Sequence, residues 1–382
     1  MITSVYSLEQ LALTKIAIHI YNENEFNDFF RWSIGFLGLI SAEEWEPILK
    51  RKLTSLQLPL ILQKKVIRLI KPISYEIDAF KLDHSDIIEY SSLETPIEYV
   101  WKGSGKIDRL KTAASYIQSE KYDLSKRFRM ACAYWFQEEA KQLWKKMPET
   151  TRKNLSTCIA DDLSNFNCRW KRAVNDWIAL IESETADCRK HSFSRPISWY
   201  CQDNVIIQGN LLQQLSPQDH LDVLRNVMKG NFPTRTKSFC LSQLNVRQFK
   251  KVFKSHPLQV YTALLTWPFY LQFLEMADRI FEYLTEEDFL SFLHYVIFGK
   301  VSNDLNDYDY VELLKDLWKR CPNEIKQYVE RSDLFEILKI ALVHDYSEPF
   351  EKRCRRELSD DIMLLFEIYY YRLLWQNRIF PF

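Results

Sequence analysis

The chain has 382 residues, of which 47% are apolar and 14% aromatic, so it can bury a large core. Lysine plus arginine equals aspartate plus glutamate, at 51 each. This balance leaves no basic excess to drive nucleic-acid binding and no acidic field, and we therefore expect a protein partner and no nucleic acid.

The numbers of glycines and cysteines limit the possible fold classes and the possible cellular compartments. Only seven glycines occur. Parallel α/β folds need glycine in phosphate-binding loops, and β-hairpins need it in tight turns. The low count therefore predicts an all-α protein. The eight cysteines are scattered, and the first apolar stretch carries Glu9 and Lys15, unlike a signal peptide. We expect free thiols, a cytoplasmic or nuclear location, and no membrane span, because no apolar run approaches about 20 residues.

The first predicted helix, "SLEQLALTKIAIHIYN" at residues 7–22, is apolar over most of its circumference. Its one coherent polar stripe is Ser7, Gln10 and Thr14. A single neighbouring helix cannot cover so wide an apolar arc. Either the following "FRWSIGFLGLI" and a helix over Leu58–Ile70 enclose it in a small bundle, or part of it is a partner site.

The chain then divides into three predicted parts: an N-terminal helical module at 1–70, a connector at 71–107, and a helical array at 108–382. The connector has weak helical periodicity and contains "GSGK" at Gly103–Lys106. A phosphate-binding loop needs a further glycine upstream and a hydroxyl residue after the lysine, but Val100 and Ile107 occupy those places. The pattern therefore predicts a plain turn.

Recurring phrases organise the array. "LSPQDHLDVLRNVM" and "LTEEDFLSFLHYVI" place Ser216 and Thr285 as N-caps, with Asp219 and Asp288 three residues later, and "LSDDIMLLFEIYY" is a looser copy capped by Ser359. "LWKKMPET" and "LWKRCPNE" both predict a helix that ends on two cations before a proline. The starts are 69 and 74 residues apart, which suggests two helix pairs per interval in an irregular, solenoid-like array of helix pairs.

Candidate reactive centres are weak. Cys168, Cys188, His191 and Cys201 could supply four zinc ligands, but two of them lack a close companion, so we expect no metal. His344 beside Asp345 is more typical of a helix end than of a metal or catalytic site. None of the seven histidines forms a metalloprotease motif, and we expect no cofactor and no enzymatic activity.

Two short N-terminal patterns carry a family resemblance. Leu8, Ala12 and Ile16 follow Ser7 with the spacing of the elongin-binding box in the SOCS-box and VHL-box substrate adaptors of cullin-RING ubiquitin ligases. The resemblance implies that Leu8 would insert into a pocket on elongin C. The family's usual cysteine is replaced by Ala12, which fits sterically but fills less space.

The second pattern is "LPLILQKKV", which resembles a VHL-type cullin box through Leu58, Pro59, Ile61, Leu62 and Val66. The resemblance implies that these residues would help select a cullin. The 50 residues between Leu8 and Leu58 exceed the family's common spacing, and the likeness covers only about 60 residues.

The sequence thus predicts a non-enzymatic interaction scaffold of stacked helix pairs that binds a polypeptide. The alternative is a ligase adaptor that contacts elongins B and C, and a cullin, through the N-terminal module.

Overall fold

A computed structural model describes residues 6–23, 42–85, 87–88, 96–160, 169–182, 205–207, 209–230, 232–303, 305 and 307–376. Over these ranges the chain forms α-helices and one π-helical turn, and it has no β-strand beyond an isolated antiparallel bridge between Trp101 and Ile107. The predicted all-α class is confirmed. No helix in the described ranges combines the length and apolarity needed to cross a bilayer.

The described residues form the following helices, given in chain order. The first ten are α1 Leu8–Tyr21, α2 Ala42–Ser55, α3 Leu60–Asp83, α4 Arg109–Gln118, α5 Leu124–Ala133, α6 Gln137–Lys146, α7 Glu149–Ala160, α8 Arg169–Glu182, α9 Gly209–Gln214 and α10 Pro217–Lys229. The others are α11 Thr234–Gln243, α12 Val246–Ser255, α13 Pro257–Leu264, α14 Tyr270–Ala277, α15 Ile280–Tyr283, α16 Glu286–Val296, the π-helix π1 Ile297–Val301, α17 Tyr310–Arg320, α18 Asn323–Glu330, α19 Leu334–Leu342, α20 Phe350–Glu357 and α21 Asp360–Gln376.

The predicted helix starts are confirmed, and the capping contacts show why. Ser7 accepts a hydrogen bond from the Gln10 amide at 3.1 Å, while the Gln10 side chain accepts one from the Ser7 amide at 2.8 Å. Thr285 and Asp288 form the same reciprocal box at the start of α16. Each box satisfies donors that the helix itself leaves unpaired.

The predicted helix ends are confirmed as well. α6 ends at Lys146, just before Pro148, and α17 ends at Arg320, just before Pro322. Both helices carry two cations in the last turn, where the negative end of the helix dipole favours them.

The predicted boundary between module and connector at 70/71 is wrong, because α3 runs through it from Leu60 to Asp83. Pro72 lies inside this helix and removes one backbone hydrogen bond. Ile73, Ile77 and Phe80 are all buried, so their burial outweighs that loss. The weak helical periodicity after residue 70, which predicted a connector, arises because this part of α3 is buried on several sides.

The chain separates into two compact units, and neither matches the predicted three-part division. Unit 1 comprises residues 1–76, 103–105 and 228–382, and unit 2 comprises 77–102 and 106–227. Each unit is assembled from segments that lie far apart in the sequence. The sequence read in linear order could not reveal this grouping.

Within unit 1, several helices after residue 228 pack against a helix one to three places farther along the chain. Examples are α11 with α13, α13 with α16, α17 with α19, and α19 with α20. Its core is rich in fully buried aromatic rings, namely Tyr261, Phe273, Phe289, Phe292, Tyr310, Phe350 and Phe366.

Unit 2 is built around contacts of α5 with α4, α6 and α8. Phe128 and Tyr134 are completely buried there, and Trp135 packs edge-on against Trp177 with ring centroids 5.2 Å apart. The aromatic-rich stretch 127–144 therefore fills a core.

Candidate functional site

The candidate site lies at the N-terminal ends of α1 and α3, where the sequence patterns fall. An ion pair joins Glu9 of α1 to Lys65 of α3, with a Nζ to Oε1 distance of 2.5 Å. Farther along both helices, the Tyr21 hydroxyl donates to Ser74 Oγ at 3.2 Å. The two contacts occur in the same order along both helices, so α1 and α3 run in the same general direction.

The first turn of α1 presents apolar side chains to solvent. Leu8 is 86% exposed, and Ala12, one turn later, is also exposed. Lys15 and His19 continue the same exposed stripe. Ile16 is half-buried at its edge. Two of the three residues of the first box are thus accessible on one helix face.

The polar stripe of α1 has an unexpected position. Thr14 is buried, and Ser7, Gln10 and Thr14 together line a cleft of about 420 Å³ within unit 1. The helix therefore turns its polar side toward a lined cavity while Leu8 faces open solvent. Other residues of the cleft wall are Glu9, Leu13, Lys65, Arg68, Ser104, Trp267, Pro268, Tyr270 and Asp307.

The start of α3 also presents apolar side chains to solvent. Leu60 is 75% exposed and Ile61 is 66% exposed. We call Leu8, Ala12, Leu60 and Ile61 the N-terminal apolar surface. Leu60 lies outside both predicted patterns, although the run "LPLIL" could have indicated it.

The remaining residues of the second pattern are divided between surface and core. Pro59 is exposed, Leu58 and Leu62 are half-buried, and Val66 is completely buried. Pro59 lies directly before α3, where its carbonyl accepts hydrogen bonds from the Leu62 and Gln63 amides. Val66 therefore belongs to the packing that holds α3, and of this set Pro59 and Ile61 are the most accessible.

The predicted turn at 103–106 is confirmed. The Lys102 amide donates to the Lys106 carbonyl at 2.8 Å, which closes a short loop. Gly105 has a φ of +83°, and a Cβ there would overlap the Trp267 indole and lie 2.8 Å from Thr14 Cγ2. The glycine is needed for close packing in unit 1, and this use differs from the phosphate-cradling role of a nucleotide-binding loop.

Of the candidate metal and catalytic residues, only His344 and Asp345 lie among the residues that the structure describes. Cys168, Cys188, His191 and Cys201 lie outside the described residues. Within the described ranges, no group of histidine, cysteine, aspartate or glutamate could hold a metal ion. His344 packs edge-on against Tyr346 and Phe350, with ring centroids 4.9 and 5.1 Å apart, whereas the neighbouring Asp345 carboxylate accepts from Ser347.

One histidine with a strongly lowered pKa belongs to a buried network in unit 2. His84 Nδ1 donates to the Phe80 carbonyl at 2.6 Å, and Nε2 accepts from the Tyr134 hydroxyl at 2.8 Å. Burial and the nearby Arg109 guanidinium lower the pKa of His84 to about 4. Arg109 in turn pairs with Asp83 at 3.0 Å. Both ring nitrogens are engaged with protein groups, so the network stabilises the neutral imidazole and serves the fold.

A second exposed apolar surface lies on α21, where sequence reasoning saw only a looser repeat. Leu364, Ile368 and Tyr371 are exposed at a spacing of four and three residues, which places them on one helix face. The signal was present in "IMLLFEIYYY", because this run contains only one charged residue.

Comparisons with known proteins leave the family open. No family model, no curated protein and no solved structure matches this chain. Functional inference therefore rests on the geometry and chemistry of the chain itself.

Proposed function

We propose that the protein is a non-enzymatic interaction scaffold that binds a polypeptide through the N-terminal apolar surface. One observation carries this proposal: Leu8 and Leu60 are exposed at 86% and 75%, each in the first turn of its helix, and the Glu9–Lys65 ion pair links the two helices. Burying one leucine side chain stabilises a complex by about 1.5–3 kcal/mol, so such a surface is a strong binding element.

The arrangement of the helices supports the scaffold. Helices of unit 1 after residue 228 pack against near neighbours along the chain, as stacked helix pairs do. We propose that they form the irregular repeat array that the recurring phrases predict, and that the array holds the partner-binding helices in place.

The test is affinity purification from the native cell with the wild-type chain and two variants. Leu8→Asp introduces a charge into the contact and should lower partner recovery by roughly a hundredfold, equivalent to about 3 kcal/mol. Lys15→Asp is the matched control, because Lys15 is exposed on the same helix face but is not apolar. Equal recovery by wild type and Leu8→Asp would contradict the proposal.

Folding of the test variant can be checked independently. Leu8 is exposed. An aspartate in the first turn of α1 would interact favourably with the positive end of the helix dipole. We therefore expect Leu8→Asp to keep the wild-type melting temperature and helical circular dichroism.

A second candidate function is that of a substrate adaptor of a cullin-RING ubiquitin ligase. It is favoured by the exposure of Leu8 and Ala12 one turn apart, which is the placement that an elongin-binding box would need. We propose that Leu8, Ala12 and Ile16 would contact elongin C, and that Pro59 and Ile61 would contact a cullin.

Purified elongin B–elongin C complex tests this second candidate directly. Calorimetric titration should give a binding constant with the wild-type chain and none with Leu8→Asp, whereas Ala12→Cys should bind more tightly because it fills the pocket better. Absence of binding by both the wild type and Ala12→Cys would eliminate the adaptor and leave the scaffold proposal standing.

A further inference from the structure

A long segment that lies mostly in unit 1 lacks acidic residues. Between Val223 and Leu274 there are 52 residues with eight lysines and arginines and no aspartate or glutamate. The rest of the chain therefore has the remaining 43 cations against 51 acids. The neutral total conceals a concentrated local positive charge.

Helix α12 carries the densest part of this charge. Arg247, Lys250, Lys251 and Lys254 are all exposed. At about 100° per residue they fall within an arc of about 100°, and they span roughly 10 Å of helix. Among the residues that the structure describes, none of the four forms an ion pair. We call these four side chains the basic face of α12.

The opposite side of α12 is fixed by packing. Val252 is buried, and Phe253 contacts the rings of Tyr261 and Tyr283 at centroid distances of 5.4 and 4.6 Å. Asn245 and Gln248 close a capping box at the helix start. The helix cannot rotate its cations inward, so the basic face is a permanent feature of the surface.

This arrangement opposes the stability of the helix. Arg247 lies in the first turn, where the helix dipole disfavours a cation, and the Arg247–Lys251 and Lys250–Lys254 pairs place like charges one turn apart. The field extends beyond α12, since burial and then Lys229 and Lys237 lower the pKa of His256, the residue that follows the helix. A compensating ligand would relieve this repulsion.

We propose that the basic face of α12 binds a short acidic segment of a partner polypeptide, at a site separate from the N-terminal apolar surface. Four closely spaced cations complement several successive carboxylates. Val246, 65% exposed at the start of the helix, offers an apolar contact beside them. Such complementarity speeds association and selects the partner.

Two other polyanions fit the surface less well. A nucleic acid would extend beyond this 10 Å face, whereas outside residues 223–274 acidic residues outnumber lysines and arginines by 51 to 43. In addition, α12 has no exposed aromatic ring for base stacking. A membrane-binding helix needs a free apolar face, but that face of α12 is already packed against unit 1.

Fluorescence anisotropy of the full chain with a labelled ten-residue polyglutamate peptide tests the proposal. We expect saturable binding at low salt that weakens strongly by about 0.3 M salt. Replacing Arg247, Lys250, Lys251 and Lys254 together by glutamine should weaken binding by roughly tenfold or more, since each exposed charge pair contributes modestly. No binding by the wild type would overturn the proposal.

A matched control separates the basic face from total charge. Lys102, Lys145, Lys146 and Lys319 are exposed cations on other parts of the chain, and replacing these four by glutamine changes the net charge equally. We expect less than a twofold change in peptide affinity. An equal loss in both variants would overturn the assignment to α12.

Two further probes decide the class of ligand. Duplex DNA of 20 base pairs and phosphatidylserine vesicles are titrated under the same conditions, and both should bind more weakly than the peptide per unit of anionic charge. Tighter binding of either probe through the basic face would replace the proposed polypeptide with that ligand class. Leu8→Asp should leave peptide affinity unchanged, so the two proposed sites can fail independently.

Discussion

Helices α12 and α20 have similar cation densities but opposite electrostatic surroundings. In α20, Arg353 pairs with Glu357 at 3.0 Å, Arg355 with Glu351 at 2.7 Å, and Arg356 with Glu348 at 2.7 Å. In α12, no described acidic residue contacts the four cations of the basic face. The comparison teaches that a cluster of lysines and arginines indicates a binding surface only when the fold leaves it uncompensated.

The positions of the acidic residues in the sequence explain why the cations of α20 form ion pairs and those of α12 do not. Three of the α20 partners lie within residues 348–357, and Glu367 of α21 adds a second contact to Arg355 at 2.9 Å. The segment around α12 contains no acid that could act in the same way. The local sequence therefore supplies acidic partners for the cations of α20 but none for those of α12.

The largest effect should come from the core residue that anchors α20. Phe350→Ala should lower the free energy of unfolding by about 3–5 kcal/mol, because Phe350 is completely buried and its removal leaves a cavity. Val252 is a buried residue of α12, and Val252→Ala removes less volume and should cost roughly 1–2 kcal/mol. Urea denaturation followed by circular dichroism measures both.

Phe350→Leu is the control for this first prediction, since it keeps most of the buried volume and should recover much of the loss. If Val252→Ala proved as costly as Phe350→Ala, the two helices would be anchored equally and the difference between them would be purely electrostatic.

Neutralising α20 should have a smaller, salt-dependent effect. The triple variant Arg353→Gln, Arg355→Gln, Arg356→Gln loses the ion pairs, and we expect its melting temperature to fall by about 1–3 °C at low salt. The difference should shrink in about 1 M salt. Thermal melts at the two salt concentrations measure it, and an unchanged melting temperature at low salt would show that these pairs contribute nothing.

Neutralising α12 should have the opposite sign and a smaller size. Replacing the four cations of the basic face by glutamine removes repulsion between like charges, and should raise the melting temperature by about 1 °C at low salt. Replacing the four control lysines at 102, 145, 146 and 319 should not raise the melting temperature, because three of them lie in last turns where the helix dipole favours a cation. A fall in melting temperature after neutralising α12 would mean that these cations are already compensated.

The smallest effect concerns His344, which packs against Phe350. Burial, followed by the charge of Arg353, lowers the pKa of His344 below its ordinary value, while Asp345 and Glu348 act in the opposite direction. Because the folded pKa is depressed, the stabilisation from the neutral ring is complete above the unfolded pKa of about 6.5 and is lost as the pH falls through the folded pKa.

Arg353→Gln should raise the His344 titration midpoint, measured by NMR, because it removes a nearby positive charge. Arg355→Gln serves as the control, since Arg355 is not among the charges that act on His344, and it should leave the midpoint unchanged. Equal midpoints in wild type and Arg353→Gln would show that burial alone depresses this pKa.

The candidate site was only partly predictable from sequence. Spacing identified Leu8, Ala12 and Ile61, which are exposed, but also Val66, which is completely buried. A one-dimensional pattern gives the face of a helix but not the neighbour that covers it. Leu60 lay outside both patterns, although it is more exposed than Ile61.

The basic face of α12 could have been found in the sequence as an acid-free run, but neutral composition over the whole chain obscured it. Counting charge in local windows exposes the run. That its cations also form no ion pair with a distant segment among the described residues follows only from the packing of unit 1.

The sequence by itself determined the helical fold class and many helix limits, because capping residues, prolines and glycine scarcity act through contacts a few residues apart. Tertiary structure decided which side of each helix is buried. Thr14 faces a cleft, α3 continues through residue 71, and two discontinuous units form, because burial depends on side chains that come from distant parts of the chain.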